Sequence, residues 1–263
     1  MPLIHCDFRS NVLGLETAMN VILPQPKPAS SSGVPDETIR RYPTLYLLHG
    51  LTGNHTDWQR ETSIERYAAP FDLAIVMPEV HRSFYTDMTN GLPFWTFISE
   101  ELPIVARSLF PLSKERKDNF VAGLSMGGYG AFKLALSHPE RFAAAASLSG
   151  GVDIAAIVRR PGKDWRREMK RIFGDLGKVA GSNADLFFLA EKVAKSKKEK
   201  PRLYQWCSSD DFLYEGNTRF HQHVQSLGLD LTYEEGPGGH SFSAWDRQIQ
   251  RVLEWLPLDK RSL

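Results

Sequence analysis

Cysteine is scarce: 263 residues carry two, Cys6 and Cys207, near opposite ends of the chain. A protein of this length that relied on disulfides would usually carry more, so both thiols are expected to be reduced, buried and inert. A catalytic Cys207 is the sharper alternative, because it stands close to a candidate acid. No window approaches the roughly 18 apolar residues of a membrane-spanning helix, and the first residues lack a basic segment leading into a long apolar run. Those lacks predict a cytoplasmic protein with no membrane partner. An excess of charge is missing too, with 32 Lys and Arg against 31 Asp and Glu. So close a balance disfavours nucleic acid as a partner. Repeats and low-complexity segments are also absent.

Hydrophobic residues make up 42% of the chain, enough to fill a sizeable core, and the length fits one large α/β domain. The stretch that organises it runs from Phe120 to Gly130. It reads as an apolar strand entering Gly123-Leu124-Ser125-Met126-Gly127 and then a helix rich in small residues, the pattern of a nucleophile elbow. A serine on so sharp a turn needs neighbours without side chains, which Gly123 and Gly127 supply. The five-residue motif alone is weak, and the strand before it and helix after it give it weight. Ser125 is the candidate nucleophile.

Around this centre the chain alternates. Residues 4–8 and 18–23 read as two strands paired antiparallel at an edge, and 24–41, with four prolines, as a solvated surface loop. Apolar runs at 44–48, 73–78, 143–149 and 203–207, with a last strand at 231–235, suit a largely parallel sheet. Helices are predicted at 61–69, 94–110, 214–227 and 242–256. Residues 152–200 turn helical and charged, and are expected to form a small cap-like insertion over the strand ends. The polar loop at 81–93 lies where ligands bind in such sheets.

A serine hydroxyl needs a base within hydrogen-bond reach, and the base needs a carboxylate to fix its tautomer. Three histidines follow the insertion: His221 and His223 inside a predicted helix, and His240 in a glycine-rich loop after the last strand. His240 is the candidate base. His221 and His223 are expected at the surface, since positions i and i+2 diverge on a helix and make a poor metal pair. For the acid, Asp210 and Asp211 are adjacent; Asp211 is favoured because Phe212-Leu213 can anchor the turn after it, and Asp153 is a distant third. Acyl transfer also needs donors for a developing oxyanion. The candidates are the N–H of Met126, directly after Ser125, and that of Leu51, in the turn His49-Gly50-Leu51, where His49 buttresses the loop. Trp58, Phe94, Trp95, Leu213 and Phe242 are candidates for a substrate-binding pocket.

Four blocks carry a family resemblance: residues 47–53, 123–131, 206–213 and 238–242. Together, in this order and over nearly the whole chain, they resemble the esterase D branch of the α/β-hydrolases, which includes S-formylglutathione hydrolases, acetyl esterases, feruloyl esterases and mycolyltransferases. The resemblance implies an α/β-hydrolase fold, a mostly parallel central sheet with helices on both faces. It places the acid on Asp211 and the oxyanion donors on Leu51 and Met126. It also implies a serine carboxylesterase of short acyl esters that needs no cofactor and no metal, with S-formylglutathione hydrolysis and acyl transfer as rivals. A small-molecule ester or thioester is then the expected partner. Sheets with exposed edges often pair into homo-oligomers, although no patch in the sequence marks one.

Overall fold

The computed structural model describes residues 1–25 and 40–258, so the loop expected at 24–41 falls largely outside them. Among the described residues eight strands form one sheet: β1 (Leu3–Ser10), β2 (Leu15–Ile22), β3 (Thr44–Leu48), β4 (Ala74–Pro78), β5 (Asn119–Leu124), β6 (Ala144–Leu148), β7 (Arg202–Ser208) and β8 (Leu231–Gly236). Their order is β1-β2-β4-β3-β5-β6-β7-β8. The pairs β1–β2 and β2–β4 are antiparallel, as expected for the edge, and every other pair is parallel. With helices on both faces, this is the α/β-hydrolase arrangement.

Strands β3 to β6 are buried along their whole length, which is why they read as continuous apolar runs. Along β5 the side chains alternate between two apolar layers: Phe120, Ala122 and Leu124 join one, Val121 the other. The first layer is closed by helices α1 (Asp57–Glu61), α2 (Ile64–Ala68) and α10 (Phe242–Trp255). Against the second pack α4 (Leu102–Leu109), α5 (Met126–Ser137), α8 (Leu186–Lys195) and α9 (Tyr214–Ser226).

Two helices depart from expectation. The one expected at 61–69 is only α2, with α1 a separate helix that ends at Glu61, because Thr62 is extended and Ser63 N–H donates to Asp246 Oδ1 at 2.9 Å instead of to a helical carbonyl. The one expected at 94–110 begins as α3 (Phe94–Thr96), widens into a π-turn at Phe97–Glu101 and continues as α4. Pro103 explains the widening: it has no N–H for Ser99 O, and Arg141 Nη1 donates to that carbonyl at 2.8 Å.

Between β6 and β7 lie α6 (Ile154–Ile157), α7 (Lys163–Phe173) and α8. Their buried residues, among them Ile154, Met169, Leu189 and Val193, belong to the same apolar layer as α5. Most of the charge in this segment stays on its outer surface.

Register sets the site. Leu48 pairs with Gly123, Leu124 with Leu148, Leu148 with Trp206 and Ser208 with Gly236, so β3, β5 and β6 end close together and β7 and β8 run two residues further at the same edge. The loops that follow them converge at one edge.

Candidate active site

Ser125 occupies the turn between β5 and α5 with φ 54° and ψ −117°. For a residue with a Cβ this is a strained conformation, held only where the surroundings over-determine it. Here Ser125 N–H donates to Leu148 O at 2.9 Å, and Ser125 O accepts from Gly151 N–H at 3.0 Å. The flanking glycines are forced by contact rather than by φ. A Cβ on Gly123 would lie 2.4 Å from the Gly127 carbonyl, and one on Gly127 would lie 2.3 Å from Leu48 O.

The loops after β8 and β7 bring the histidine to this serine and Asp211 to the histidine. Ser125 Oγ and His240 Nε2 are 2.9 Å apart, and His240 Nδ1 lies 2.7 Å from Asp211 Oδ2. The carboxylate accepts only, so Nδ1 carries the proton and Nε2 presents its lone pair to the serine hydroxyl. Asp211 is buried, its other oxygen accepting Leu213 N–H at 2.8 Å.

Asp210 is exposed but holds a neighbouring loop. Its Oδ1 accepts from Gly238 N–H at 3.1 Å and Gly239 N–H at 3.0 Å, and meets Ser208 Oγ in a short contact. The Ser208 hydrogen bond, followed by those two N–H groups, holds the Asp210 carboxyl down at about 2. One aspartate thus orients the imidazole while its neighbour latches the loop that carries it.

Met126 opens α5, so its N–H has no partner within the helix and lies next to the nucleophile. The Gly50 backbone packs on the elbow: a Cβ there would be 3.6 Å from Ser125 Cβ. Buried Glu79 supports the loop that carries Gly50 and Leu51, accepting from His81 N–H at 2.7 Å and from His55 Nδ1 at 3.2 Å. Burial would raise the Glu79 carboxyl, but its contact with His49, followed by the hydrogen bonds from His55 and His81 N–H, holds it well below the usual carboxylate range.

The expected pocket residues mostly lie elsewhere. Trp58 is 1% exposed within the α1–α2–α10 layer and donates to Leu48 O at 3.0 Å, so its indole is used for packing. Trp95 stacks on His138 and carries Lys133 Nζ 4.4 Å from its ring centre, beside a separate cavity that none of Ser125, Asp211 and His240 lines. Phe94 is buried against His81, and Phe242 packs on Trp245. Leu213 is buried beside Asp211 and anchors the turn, whereas Phe212 is 63% exposed. The Phe212 ring instead lies 4.7 Å from that of His240, and Trp245 meets the imidazole edge-on at 4.8 Å. Neither was anticipated at the site; Phe212, directly after the acid, was the readable hint.

Two other expectations need correction. His221 and His223 are partly buried and diverge, one stacked on Tyr233 and the other set against Phe187. Cys6 is half-buried rather than buried. Cys207 is buried, and burial, followed by the charge of Asp211, pushes its thiol up to about 12. A thiol so placed stays protonated at neutral pH and makes no nucleophile.

With the elbow, histidine and aspartate assembled in this order on this sheet, comparison with known proteins gives a single answer. The Esterase family model, described as "Putative esterase", matches residues 10–256. The chain belongs to this esterase family. An acetyl esterase of Caldicellulosiruptor saccharolyticus is 33% identical over 97% of this chain and 98% of its own. Among solved structures, the fluorophosphonate-binding serine hydrolase FphF of Staphylococcus aureus is 36% identical, with a TM-score of 0.89 over 98% of this chain and 99% of that one. The S-formylglutathione hydrolase FrmB of the same organism is also 36% identical, with a TM-score of 0.85 over 97% and 98%. The chain is thus a hydrolase that acts on esters.

Proposed function

We propose that this esterase is a serine carboxylesterase of short acyl esters working through an acyl-enzyme. The observation that carries the reading is the relay from Asp211 through His240 to Ser125, at 2.7 and 2.9 Å, on a nucleophile held at positive φ. Ser125 Oγ attacks the acyl carbon as its proton passes to His240 Nε2. The carbonyl oxygen becomes an oxyanion facing the N–H groups of Leu51 and Met126. Collapse expels the alkoxide, which takes the proton from His240 and leaves as the alcohol. Water then attacks the acyl-enzyme, giving its proton to His240, and the carboxylic acid is released as Ser125 recovers its hydrogen. Asp211 keeps its charge throughout and stabilises the imidazolium. Full-length similarity to an acetyl esterase supports a short acyl group.

Hydrolysis of S-formylglutathione is the second reading, favoured by the full-length likeness to FrmB. One experiment separates the two: kcat/KM of wild type and Ser125→Ala on p-nitrophenyl acetate, butyrate and octanoate beside S-formylglutathione. The proposal expects the short esters to lead and the variant to be inactive. A preference of about a hundredfold for the thioester, roughly 2.7 kcal/mol of extra transition-state binding, establishes the second reading. Full activity in Ser125→Ala removes both.

A further inference from the structure

Beside the Asp211 turn a cavity of about 260 Å³ opens between α6, the residues after β6 and the start of α9. Its charges are unevenly matched. Asp153 Oδ2 accepts from Arg219 Nη2 at 2.7 Å and Nε at 3.1 Å, while its Oδ1 accepts Ala156 N–H at 3.0 Å. Glu215 faces the same Arg219 at 4.0 Å. Both acids of the cavity are therefore turned to one arginine.

The other arginine, Arg160, has no carboxylate within ion-pair distance among the described residues. Its guanidinium lies 4.8 Å over the ring of Phe212, and its polar contact is a long 3.5 Å approach to Phe212 O. Burial of the guanidinium is partly offset by the charge of nearby Asp211, but both Asp211 oxygens are engaged by His240 and by Leu213 N–H, so the Arg160 donors stay open. A partly buried arginine fork with unused donors is a receptor for a planar anion.

Chemistry fixes where that anion would sit. The leaving oxygen takes its proton from His240 Nε2, so the leaving group must depart on the imidazole side of Ser125. The exposed ring of Phe212 flanks that imidazole, and Arg160 covers the ring in turn. A leaving group long enough to extend past His240 and Phe212 would come within reach of the guanidinium. We propose that Arg160 forms an anion subsite, and that the preferred esters carry a carboxylate on the leaving group, one ring or its equivalent from the scissile oxygen. This rests on the esterase reading with His240 as the proton donor.

The test uses 4-acetoxybenzoate and its neutral counterpart 4-acetoxybenzamide, with kcat and KM measured for wild type, Arg160→Gln and Arg160→Lys. The ratio of kcat/KM between the two esters cancels any general damage to the site. That ratio is expected to fall roughly tenfold in Arg160→Gln, the worth of one hydrogen-bonded charge contact, mainly through KM. Arg160→Lys should keep part of it. In the wild type, added salt should raise KM for the carboxylate ester alone. An equal ratio in wild type and Arg160→Gln overturns the subsite. If Arg160→Gln melts before assay, the salt dependence decides, and a KM for the carboxylate ester indifferent to salt is the overturning result. Failure of the underlying reading looks different: the wild type then leaves both esters intact, or Ser125→Ala hydrolyses both.

Discussion

His49 Nδ1 donates to the carbonyl oxygen of Gly50, the next residue, across 2.7 Å, and Val80 N–H donates to the opposite ring nitrogen at 3.1 Å. Gly50 O can only accept, so Nδ1 carries a proton, while Nε2 sits between Val80 N–H and Glu79 Oε1, the latter 3.5 Å away. Oxygen and hydrogen of a trans peptide point in opposite directions, so fixing Gly50 O toward the imidazole turns Leu51 N–H away from it. His49 is 1% exposed, and the Gly50 backbone lies against Ser125, so this peptide has little freedom to flip.

The expected consequence is a loss in kcat without a matching loss of binding. His49→Ala should lower kcat by about 10- to 100-fold, less than the several hundredfold that follows outright removal of an oxyanion donor. KM should move little, since the donor acts on charge that exists in the transition state. Steady-state kinetics on p-nitrophenyl acetate, with a melting curve to confirm folding, measure this. A folded variant with undiminished kcat would show that His49 does not set the loop.

Asp210 and Asp211 should separate by size of effect. Asp211→Asn leaves the imidazole in the wrong tautomer and is expected to cost roughly 10⁴ in kcat. Asp210→Ala releases the loop at Gly238 and Gly239 and should cost far less, about tenfold, because the Asp211–His240 contact survives. Stability carries a second signature. Folding lowers the Asp210 carboxyl from 3.8 to about 2, so its latch contributes in full above the ordinary value and is lost as pH falls toward the folded one. The melting-temperature gap between wild type and Asp210→Ala should accordingly shrink between about pH 4 and pH 2. A gap independent of pH would contradict the latch.

Legibility from sequence follows the same physics. Strands buried on both faces announce themselves as apolar runs, so β3 to β6 were readable, and Ser125 with its two glycines was readable because steric contact dictates the motif. His240 emerged by elimination and by its place after the last strand. The destinations of the aromatic residues were not readable, apart from the hint that Phe212 directly follows the acid. Trp58, Trp95 and Phe212 are equally hydrophobic in one dimension, and only the packing sends one to the core, one under Lys133 and one over the imidazole. The break at Thr62 was hidden because its cause, Asp246, lies far along the chain.

Cys207 lies four residues before the acid, yet its raised thiol predicts inertness. Iodoacetamide at about pH 8 should leave esterase activity intact, with any alkylation confined to half-buried Cys6. Mass spectrometry of the treated enzyme locates the label. Inactivation that tracks labelling of Cys207 would return that residue to the chemistry.

Lys133 gives the last prediction. The residue is 4% exposed on α5, and its Nζ has Tyr85 O at 2.7 Å and Thr86 Oγ1 at 2.9 Å as oxygen acceptors. Two acceptors suit the two N–H bonds of a neutral amine; the third neighbour is the Trp95 ring. Burial brings its pKa down from 10.5 to about 7, with Asp87 opposing. Between those values the unfolded chain holds the proton and the folded chain has lost it, so the unfolding free energy rises with pH across this window. Below about 7 both states are protonated and folding bears the whole cost of burying the charge. Lys133→Met removes the titration, and subtracting its melting temperature cancels groups that are indifferent to Lys133. The wild type should therefore gain on Lys133→Met as pH rises from about 7 to about 10 and lose the advantage below. A difference that stays flat over this range would mean that the ammonium keeps its proton inside the fold, held by Asp87 and the aromatic faces more strongly than burial opposes it.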